Sequence, residues 1–282
     1  MKILPNEKIL GALRCPICKE NMSLKGEESL ICVGERHHCF DLASSGYVNL
    51  MPPGQAGGGD SKQAVRARSA FLNLGHYQPI ADTLCEMLDR YTSPPRGLLI
   101  DAGCGEGYYT DRPTHLGFSV AGVDLSKFAT DAAAKRAAQI APDGAFFSVS
   151  SVFDLPFCDG CAQAVINVFA PCVEKEFTRV LRHDGVLAVA YAGPDHLMGL
   201  KDAIYEKTKQ NEGRADLPRE MVLIEERRVR FDIEVQGSDN LQNLFAMTPY
   251  YWKTSPQDSA KLTKLDRLET TVDVIIALYR KK

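Results

Sequence analysis

Short apolar runs alternate with amphipathic segments through the middle of this chain. Each apolar run is short enough to be a buried strand. These runs lie at 98–101, 118–124, 145–149, 163–169 and 185–191. Helical periodicity is found between them at 128–140 and 173–182, with Ser126 as a candidate N-cap. Strands that alternate with helices predict right-handed crossovers and a parallel sheet, with ligands bound at the carboxyl ends of its strands.

The regions on either side of this core have a weaker pattern. Amphipathic helices are predicted at 64–74 and from 76 to about 91, and the chain is predicted to be helical again at 194–210. The last strand is predicted at 270–279. The segment 211–239 mixes Arg and Glu without a clear period, and no element is predicted there. Residues 52–60 are rich in Pro and Gly, which predicts a flexible linker or mobile loop.

A glycine-rich turn follows the first strand of the core. Residues 103–107 have the spacing G-x-G-x-G, and a helix is predicted from Tyr108 onward. Glycine lets backbone N–H groups approach a ligand closely. The next strand ends in Asp124, which can accept hydrogen bonds from both hydroxyls of a ribose. Together these features predict a nucleoside-binding site.

Two classes of nucleoside cofactor compete for that site. A dinucleotide oxidoreductase needs G-x-G-x-x-G, and Tyr108 stands where its third glycine would be. The observed spacing, with Asp101 two residues before Gly103, resembles the first motif of class I S-adenosylmethionine (SAM) methyltransferases. A packing turn without a ligand is the third interpretation.

Cysteine spacing predicts a metal site near the N-terminus. Cys15 and Cys18 form a C-x-x-C pair, and Cys32 follows at a distance that allows a hairpin to present a second knuckle. Three residues are candidates for the fourth ligand: His37, His38 and Cys39. A segment this short cannot bury a core of its own, so metal binding would supply its folding energy. We therefore predict one structural zinc ion. A redox C-x-x-C or unrelated thiols are the alternatives.

Composition and charge exclude several classes of protein. No apolar run approaches the ~18 residues of a membrane helix, and the first ten residues do not form a signal peptide. The nine cysteines show no disulfide framework, which favours the reducing cytoplasm. The pair Cys158 and Cys161 is predicted to be structural, without metal. The net charge of −3 means that any nucleic-acid surface must be local.

Several motifs form a combination that is more specific than any one of them. They are Cys15-x-x-Cys18 with Cys32 and His38-x-Phe-Asp41, Gly46-Tyr-Val-Asn-Leu50, Gly75-His-Tyr-Gln-Pro79, Asp101-x-Gly-Cys-Gly-Glu-Gly-Tyr-Tyr-Thr110, Ala170-Pro-Cys172 and Gly193-Pro-x-His-Leu197. The set resembles the bacterial 23S rRNA guanine-N1-methyltransferases from about residue 14 to about 201. A weaker similarity includes Met247-Thr-Pro249 and Trp252.

The resemblance implies a domain organisation. A zinc-binding RNA-recognition domain would span 1–53, followed by a linker and connecting helix at 54–76. Residues 77–282 would form a Rossmann-like class I SAM methyltransferase domain with a mostly parallel seven-stranded sheet. The implied zinc ligands are Cys15, Cys18, Cys32 and His38, although the gap between the last two is longer than in the family pattern.

Two kinds of argument supply the candidate cofactor residues. The resemblance implies contacts to SAM from Tyr77, Gly105, Glu106 and His196. Position at strand ends or in the glycine turn adds Asp101, Gly103, Asp124 and Ser151. Asn167 is a candidate for orienting the target base, with a strand-end hydrogen bond as its alternative. Tyr108 and Phe169 are candidates for stacking on that base.

The implied activity is methylation of guanine N1 in a hairpin loop of 23S rRNA, by a protein that the resemblance implies is a homodimer. Basic residues predicted to face the RNA are Arg14, Lys19, Lys25, Arg36, Lys62, Arg66 and Arg68. A small-molecule SAM methyltransferase with an accessory zinc element is one alternative, and a non-catalytic ribosome assembly factor that binds SAM, zinc and RNA is another. The sequence identifies neither the general base nor the target guanine, and leaves open whether methylation gives antibiotic resistance.

Overall fold

The computed structural model describes residues 2–54, 58–214 and 216–281. The N-terminal unit, as we call the elements α1 to β4, begins with a helix that Asn6 caps by accepting a hydrogen bond from the N–H of Ile9. Strands β1, β2 and β3 form an antiparallel sheet of three. The elements are α1 (Glu7–Ala12), β1 (Met22–Lys25), β2 (Ser29–Cys32), β3 (Cys39–Asp41) and β4 (Val48–Asn49).

The middle of the chain alternates strands and helices as the hydrophobic pattern predicts. Ser126 caps its helix by accepting a hydrogen bond from the N–H of Ala129, which confirms that N-cap. The elements are α2 (Lys62–Leu72), α3 (Gln78–Tyr91), β5 (Leu98–Ala102), α4 (Asp111–His115), β6 (Ser119–Asp124), α5 (Lys127–Ile140), β7 (Ala145–Val149), β8 (Ala162–Val168), α6 (Glu174–Val180), β9 (Leu181–Ala192) and α7 (Met198–Ile204).

The C-terminal part contributes two long antiparallel strands and the short helices between them. Its elements are β10 (Val222–Gln236), α8 (Ser238–Ala246), α9 (Pro256–Ser259), a 3-10 turn (Leu262–Lys264) and β11 (Arg267–Arg280).

The central sheet has the order β10-β11-β9-β8-β5-β6-β7-β4. The strands from β9 to β4 pair in parallel, and β11 is antiparallel to both of its neighbours. This confirms the predicted α/β class with a mostly parallel sheet. Among the described residues the sheet has eight strands rather than seven, because β4 of the N-terminal unit adds an edge strand beside β7.

The motif Gly46-Tyr-Val-Asn-Leu50 is what attaches that extra strand. Val48 and Asn49 pair with Ser148 and Val149 of β7. Gly46 has φ +104°, and a Cβ there would stand 2.2 Å from the carbonyl oxygen of Ile3. Only glycine fits such a close approach at a positive φ. The glycine therefore lets the N-terminal segment cross the chain just before it enters the sheet.

The N-terminal unit packs directly on the larger unit. The N–H of Cys158 donates to the carbonyl of Ala12, and the N–H of Arg14 donates to that of Pro156, each over 2.9 Å. Leu13, buried opposite Phe157, belongs to the apolar core that covers one face of the central sheet. The division of the chain at residues 53 and 76 stays a prediction. Residues 55–57 of the predicted linker lie outside the described residues.

The structure differs from the prediction in three segments. The helix expected from Tyr108 begins at Asp111 and ends at His115. The helix expected at 194–210 is confined to α7, since Leu197 before it has a left-handed backbone with φ 56°. The polar segment 211–239, where no element was predicted, contains β10. No helix in the described part of the chain is long and apolar enough to span a membrane.

Candidate functional site

A cavity of about 810 Å³ opens at the carboxyl ends of the parallel strands. Its lining includes residues of the turns after β5, β6, β7 and β8 and residues between 191 and 250. This volume lies in the range of small-molecule and cofactor sites. Six of the candidate cofactor residues line it: Tyr77, Gly103, Gly105, Glu106, Asp124 and His196.

The glycine-rich turn is fastened to the end of the neighbouring strand. The N–H groups of Gly103 and Cys104 both donate to the carbonyl of Val123, over 2.8 and 3.0 Å. The N–H of Gly105 donates to Oδ2 of Asp124 over 3.0 Å, and Ser126 N–H donates to Oδ1 over 2.8 Å. Each carboxylate oxygen has a second lone pair, so Asp124 can still accept hydrogen bonds from a ligand in the cavity.

A largely buried ion pair of Arg68 and Glu106 lines the cavity beside this turn. Nε of Arg68 donates to Glu106 over 2.5 Å, and the same guanidinium pairs with Asp60. Arg68 had been predicted to face RNA, and the structure corrects this because its charge is already neutralised inside the protein. Nothing in the sequence around Arg68 indicates that it forms this ion pair.

An aromatic cluster closes another part of the cavity. Nδ1 of His196 accepts from the N–H of Asp273 over 3.2 Å, so Nε2 carries the proton and donates to the Tyr77 hydroxyl, 3.3 Å away. Burial lowers the pKa of His196 to about 4, which keeps the ring neutral. Phe169 stacks on this ring at 5.7 Å between centroids and is 43% exposed.

Phe169 combines exposure with an unusual backbone. Its φ is 52°, a conformation that non-glycine residues adopt rarely and that is enriched at functional sites. The N–H of Phe169 is held by the carbonyl of Ala190 over 3.0 Å. The turn after β8 therefore presents an aromatic face to the cavity. Tyr108, the other candidate for stacking, is buried in the core, is not part of the cavity lining, and packs beside Arg136.

Three further sequence candidates lie outside the cavity lining. Asp101 is buried behind the glycine turn, where it accepts a hydrogen bond from the Thr110 hydroxyl over 2.7 Å, and burial raises its pKa to about 7. Ser151 accepts from the N–H of Phe153. The amide of Asn167 donates to the carbonyls of Ala102 and Pro171, so this side chain makes the strand-end hydrogen bonds of its alternative interpretation.

The cavity also contains a polar group that the sequence did not predict. Arg214 and Asp216 line the cavity together with Asn211 and residues 247–250. Only the Met247-Thr-Pro249 motif had given a signal here. The remaining residues lie in a segment without periodicity, so their position became apparent only from the fold.

A second site is formed by four side chains of the N-terminal unit. The ligand atoms of Cys15, Cys18, Cys32 and His38 all lie within 4.8 Å of one another. Nδ1 of His38 is 3.5 Å from Sγ of Cys15 and of Cys32, and the Sγ atoms of Cys18 and Cys32 are 3.7 Å apart. Ligand atoms of a tetrahedral zinc stand about 3.5–3.8 Å apart, given its bond lengths to S and N. The four residues therefore fit one zinc ion.

The structure distinguishes between the three candidates for the fourth ligand. His38 belongs to the cluster, and its backbone N–H also donates to Sγ of Cys32 over 3.1 Å. The ring of His37 points elsewhere, toward the carbonyl of Cys32, and Cys39 is exposed on β3. Cys158 and Cys161 take no part in a cluster of metal ligands among the described residues.

Other members of the predicted RNA-facing set have partners within the protein. Lys19 forms a salt bridge with Asp154 over 2.8 Å, which joins the N-terminal unit to the loop after β7. Arg14 donates to the carbonyls of Gly11 and Leu13.

Comparisons with known proteins match both parts of the chain. A family model described as the N-terminal region of RlmA matches residues 13–56, and a methyltransferase-domain model matches residues 99–185. A 23S rRNA (guanine(748)-N(1))-methyltransferase of Streptomyces fradiae is 32% identical over 97% of this chain and 98% of the relative. Putative 23S rRNA (guanine-N(1)-)-methyltransferases of Bacillus subtilis and Micromonospora griseorubida are each 30% identical, over 95% and 96% of this chain and 96% and 98% of their own lengths.

Proposed function

Because this chain belongs to the family of bacterial 23S rRNA guanine-N1-methyltransferases, we propose that it methylates N1 of a guanine in a hairpin loop of 23S rRNA. It is a SAM-dependent methyltransferase with an N-terminal zinc ribbon. We further propose that the protein acts in the cytoplasm, where rRNA is made, and that its active form is a homodimer.

The observation that supports the proposal best is the composition of the cavity. At one end are a glycine turn and Asp124, groups suited to a nucleoside, and elsewhere the partly exposed ring of Phe169 offers a face for a base. A base released from its stack can bind against such an aromatic face. The cavity thus contains groups that can bind a cofactor and groups that can bind a nucleobase.

SAM bound here would supply an electrophilic methyl group on its sulfonium. In the proposed reaction guanine N1 forms a bond to that carbon while the carbon–sulfur bond breaks, and the N1 proton passes to solvent. Holding both reactants in line can lower the barrier by ~7–11 kcal/mol. Catalysis then depends mainly on positioning by the walls of the cavity.

We assign the positioning of the cofactor to six residues that line the cavity. Asp124 would accept hydrogen bonds from the ribose, and Gly103 and Gly105 would let the turn approach it. The neutral His196 and the hydroxyl of Tyr77 would hold the amino-acid part of the cofactor. Glu106, whose charge is balanced by Arg68, would contact it beside the turn.

The role of the zinc ribbon in the proposal is to hold RNA against the mouth of the cavity. The ribbon is joined to the loop after β7 by Lys19 and Asp154, and Phe153 in that loop is 65% exposed and also lines the cavity. An RNA hairpin that contacts the ribbon would therefore lie close to the cavity entrance.

Methyl transfer from labelled SAM to 23S rRNA tests this proposal. The rRNA should come from a strain that lacks the modification. Hairpin fragments should be compared with the same sequences annealed to their complementary strands as full duplexes. We expect about one methyl group per 23S rRNA and activity on one hairpin, with little on its duplex form. Equal activity on small molecules in place of RNA would contradict the proposal. Size-exclusion chromatography with light scattering tests the dimer.

A further inference from the structure

Arg214 and Asp216 form an ion pair in the lining of the cavity, directly beside the turn after β8. Nη2 of Arg214 donates to Oδ2 of Asp216 over 3.0 Å and also to the carbonyl of Ala170. The N–H of Cys172 donates to Oδ2 of Asp216 over 2.8 Å. The carboxylate is thus held beside the turn that carries Phe169.

The carboxylate of Asp216 keeps hydrogen-bonding capacity after these contacts. Among the described residues its partners are Arg214 and the N–H of Cys172, and two of these three bonds are to Oδ2. The side chain is 45% exposed, and it lines the cavity. An ionised carboxylate is only an acceptor of hydrogen bonds, so its open lone pairs can bind only an N–H or O–H group.

Guanine presents donors of this kind next to the atom that reacts. Its N1–H and its 2-amino group lie side by side on the Watson–Crick edge. N1 must face the cofactor during methyl transfer, so the 2-amino group is the neighbouring donor that remains for the protein. Adenine has no amino group at that position, and an acceptor there would therefore discriminate against it.

We propose that Asp216 recognises the target base by accepting a hydrogen bond from the 2-amino group of guanine, with Arg214 as the positioning residue that orients its carboxylate. This inference rests on the proposed function and adds the group that selects guanine. The hydrogen bond from Arg214 lowers the pKa of Asp216 to about 2. Asp216 therefore stays ionised at neutral pH and serves as an acceptor rather than as the base for the N1 proton.

The competing explanation is that the pair only stiffens the turn at residues 169–172. A purely structural role would lower activity on every substrate by a similar factor. A role in recognition would affect only substrates that carry the 2-amino group. Inosine separates the two explanations, because it lacks this group and keeps N1–H and the 6-oxo group.

The experiment compares two hairpin RNAs that carry guanosine or inosine at the target position. A hydrogen bond to a charged group contributes ~1.5–3 kcal/mol, so we expect wild-type kcat/KM to be about 10- to 100-fold higher for guanosine. In Asp216→Ala we expect this preference to fall to about threefold or less, through loss of activity on guanosine RNA alone. Asp216→Asn, which keeps the shape of the side chain, should also have a reduced preference.

A matched control is available elsewhere in the same chain. Arg182 and Asp184 form an Arg-x-Asp ion pair on β9 that is exposed and does not line the cavity. Asp184→Ala should keep the wild-type preference for guanosine, and all variants should bind SAM within about twofold of wild type by calorimetry.

Two results would overturn the inference while leaving the proposed function intact. The first is equal wild-type activity on the guanosine and inosine RNAs. The second is an unchanged preference for guanosine in both variants of Asp216. Absence of wild-type activity on any guanosine RNA, with SAM bound normally, would overturn the proposed function and this inference together.

Discussion

Oδ2 of Asp124 accepts a hydrogen bond from the backbone N–H of Gly105 over 3.0 Å. This bond joins the end of β6 to the turn after β5, so the two predicted parts of the cofactor site are one structure. The carboxylate thus has two functions: it orders the turn, and it offers its remaining lone pairs to the cavity.

Asp124→Ala should therefore weaken SAM binding about ten- to a hundredfold, because a charge-assisted hydrogen bond contributes ~1.5–3 kcal/mol. Isothermal calorimetry measures the change directly. Asp143→Ala, at an exposed site just beyond the C-terminal end of α5, serves as the control and should bind SAM normally. Unchanged affinity in Asp124→Ala would mean that the ribose binds elsewhere.

The zinc cluster makes a prediction about each of its candidate ligands. Cys32→Ser and His38→Ala should each reduce the zinc content from about one equivalent per chain to below a tenth, since closed structural sites need four ligands. His37→Ala and Cys39→Ser should keep the zinc, because these residues lie outside the cluster. Elemental analysis of protein purified without added metal distinguishes these outcomes. Full zinc in His38→Ala would reject the assignment of the fourth ligand.

Loss of zinc should destabilise more than the ribbon itself. Cys15 and Cys32 are buried in the same apolar core as Leu155 and Phe157 of the methyltransferase part. We therefore expect a chelator strong enough to remove the zinc to lower the melting temperature of the whole chain in one transition. Calorimetry that shows the larger unit melting at its original temperature would contradict this coupling.

Gly46→Ala tests the crossing that brings β4 to the sheet. A Cβ at this position would meet the carbonyl oxygen of Ile3, and φ is positive, so the substitution should destabilise the protein by more than about 2 kcal/mol. Gly11→Ala lies in α1 with no atom near its Cβ, and should be neutral or stabilising by up to ~1 kcal/mol. Unfolding in guanidinium chloride compares the two, and equal stability of both variants would argue against the crossing.

The neutral state of His196 leads to a prediction about pH. The pKa of this ring is about 4 in the folded protein, below its ordinary value of about 6.5. Between these values the unfolded chain binds a proton that the folded chain does not. The stability that burial of this ring contributes is therefore complete above about pH 6.5 and is lost as the pH falls toward 4.

Unfolding free energies at pH 7.5 and pH 5 test this linkage. Wild type should lose more stability between the two values than His196→Gln, whose side chain has no proton to bind. An NMR titration that follows the chemical shifts of the His196 ring in wild type should show no inflection between pH 5.5 and 8. An equal loss in both proteins, or an inflection near pH 6.5, would contradict the buried neutral ring.

Patterns that depend on local sequence predicted most of the fold. The strands at 98–101 and 118–124 are mostly apolar because both of their faces are covered, and such runs are visible without a structure. β10 was missed for the opposite reason. It lies at the edge of the sheet and is largely half-buried or exposed, so its Arg and Glu side chains alternate with few apolar residues.

The candidate site was predicted where motifs are local and missed where the fold joins distant segments. Asp124 ends β6, and Gly105 lies in the turn after the adjacent strand β5, so their proximity follows from the parallel pattern. Arg68 and Asp216 reach the cavity from α2 and from the segment after α7, and no short-range pattern contains those contacts. Asp101 was expected near the cofactor, yet its side chain points to Thr110 on the inner side of the turn.

The identity of the methylated nucleoside tests the central claim most directly. Purified protein should be incubated with labelled SAM and with 23S rRNA that lacks the modification, and the rRNA then digested to nucleosides for mass spectrometry. We expect the label in 1-methylguanosine, from a single guanosine located in a hairpin loop. Label in another nucleoside, or no label in 23S rRNA while SAM binds normally, would contradict the assignment of this chain as a guanine-N1-methyltransferase.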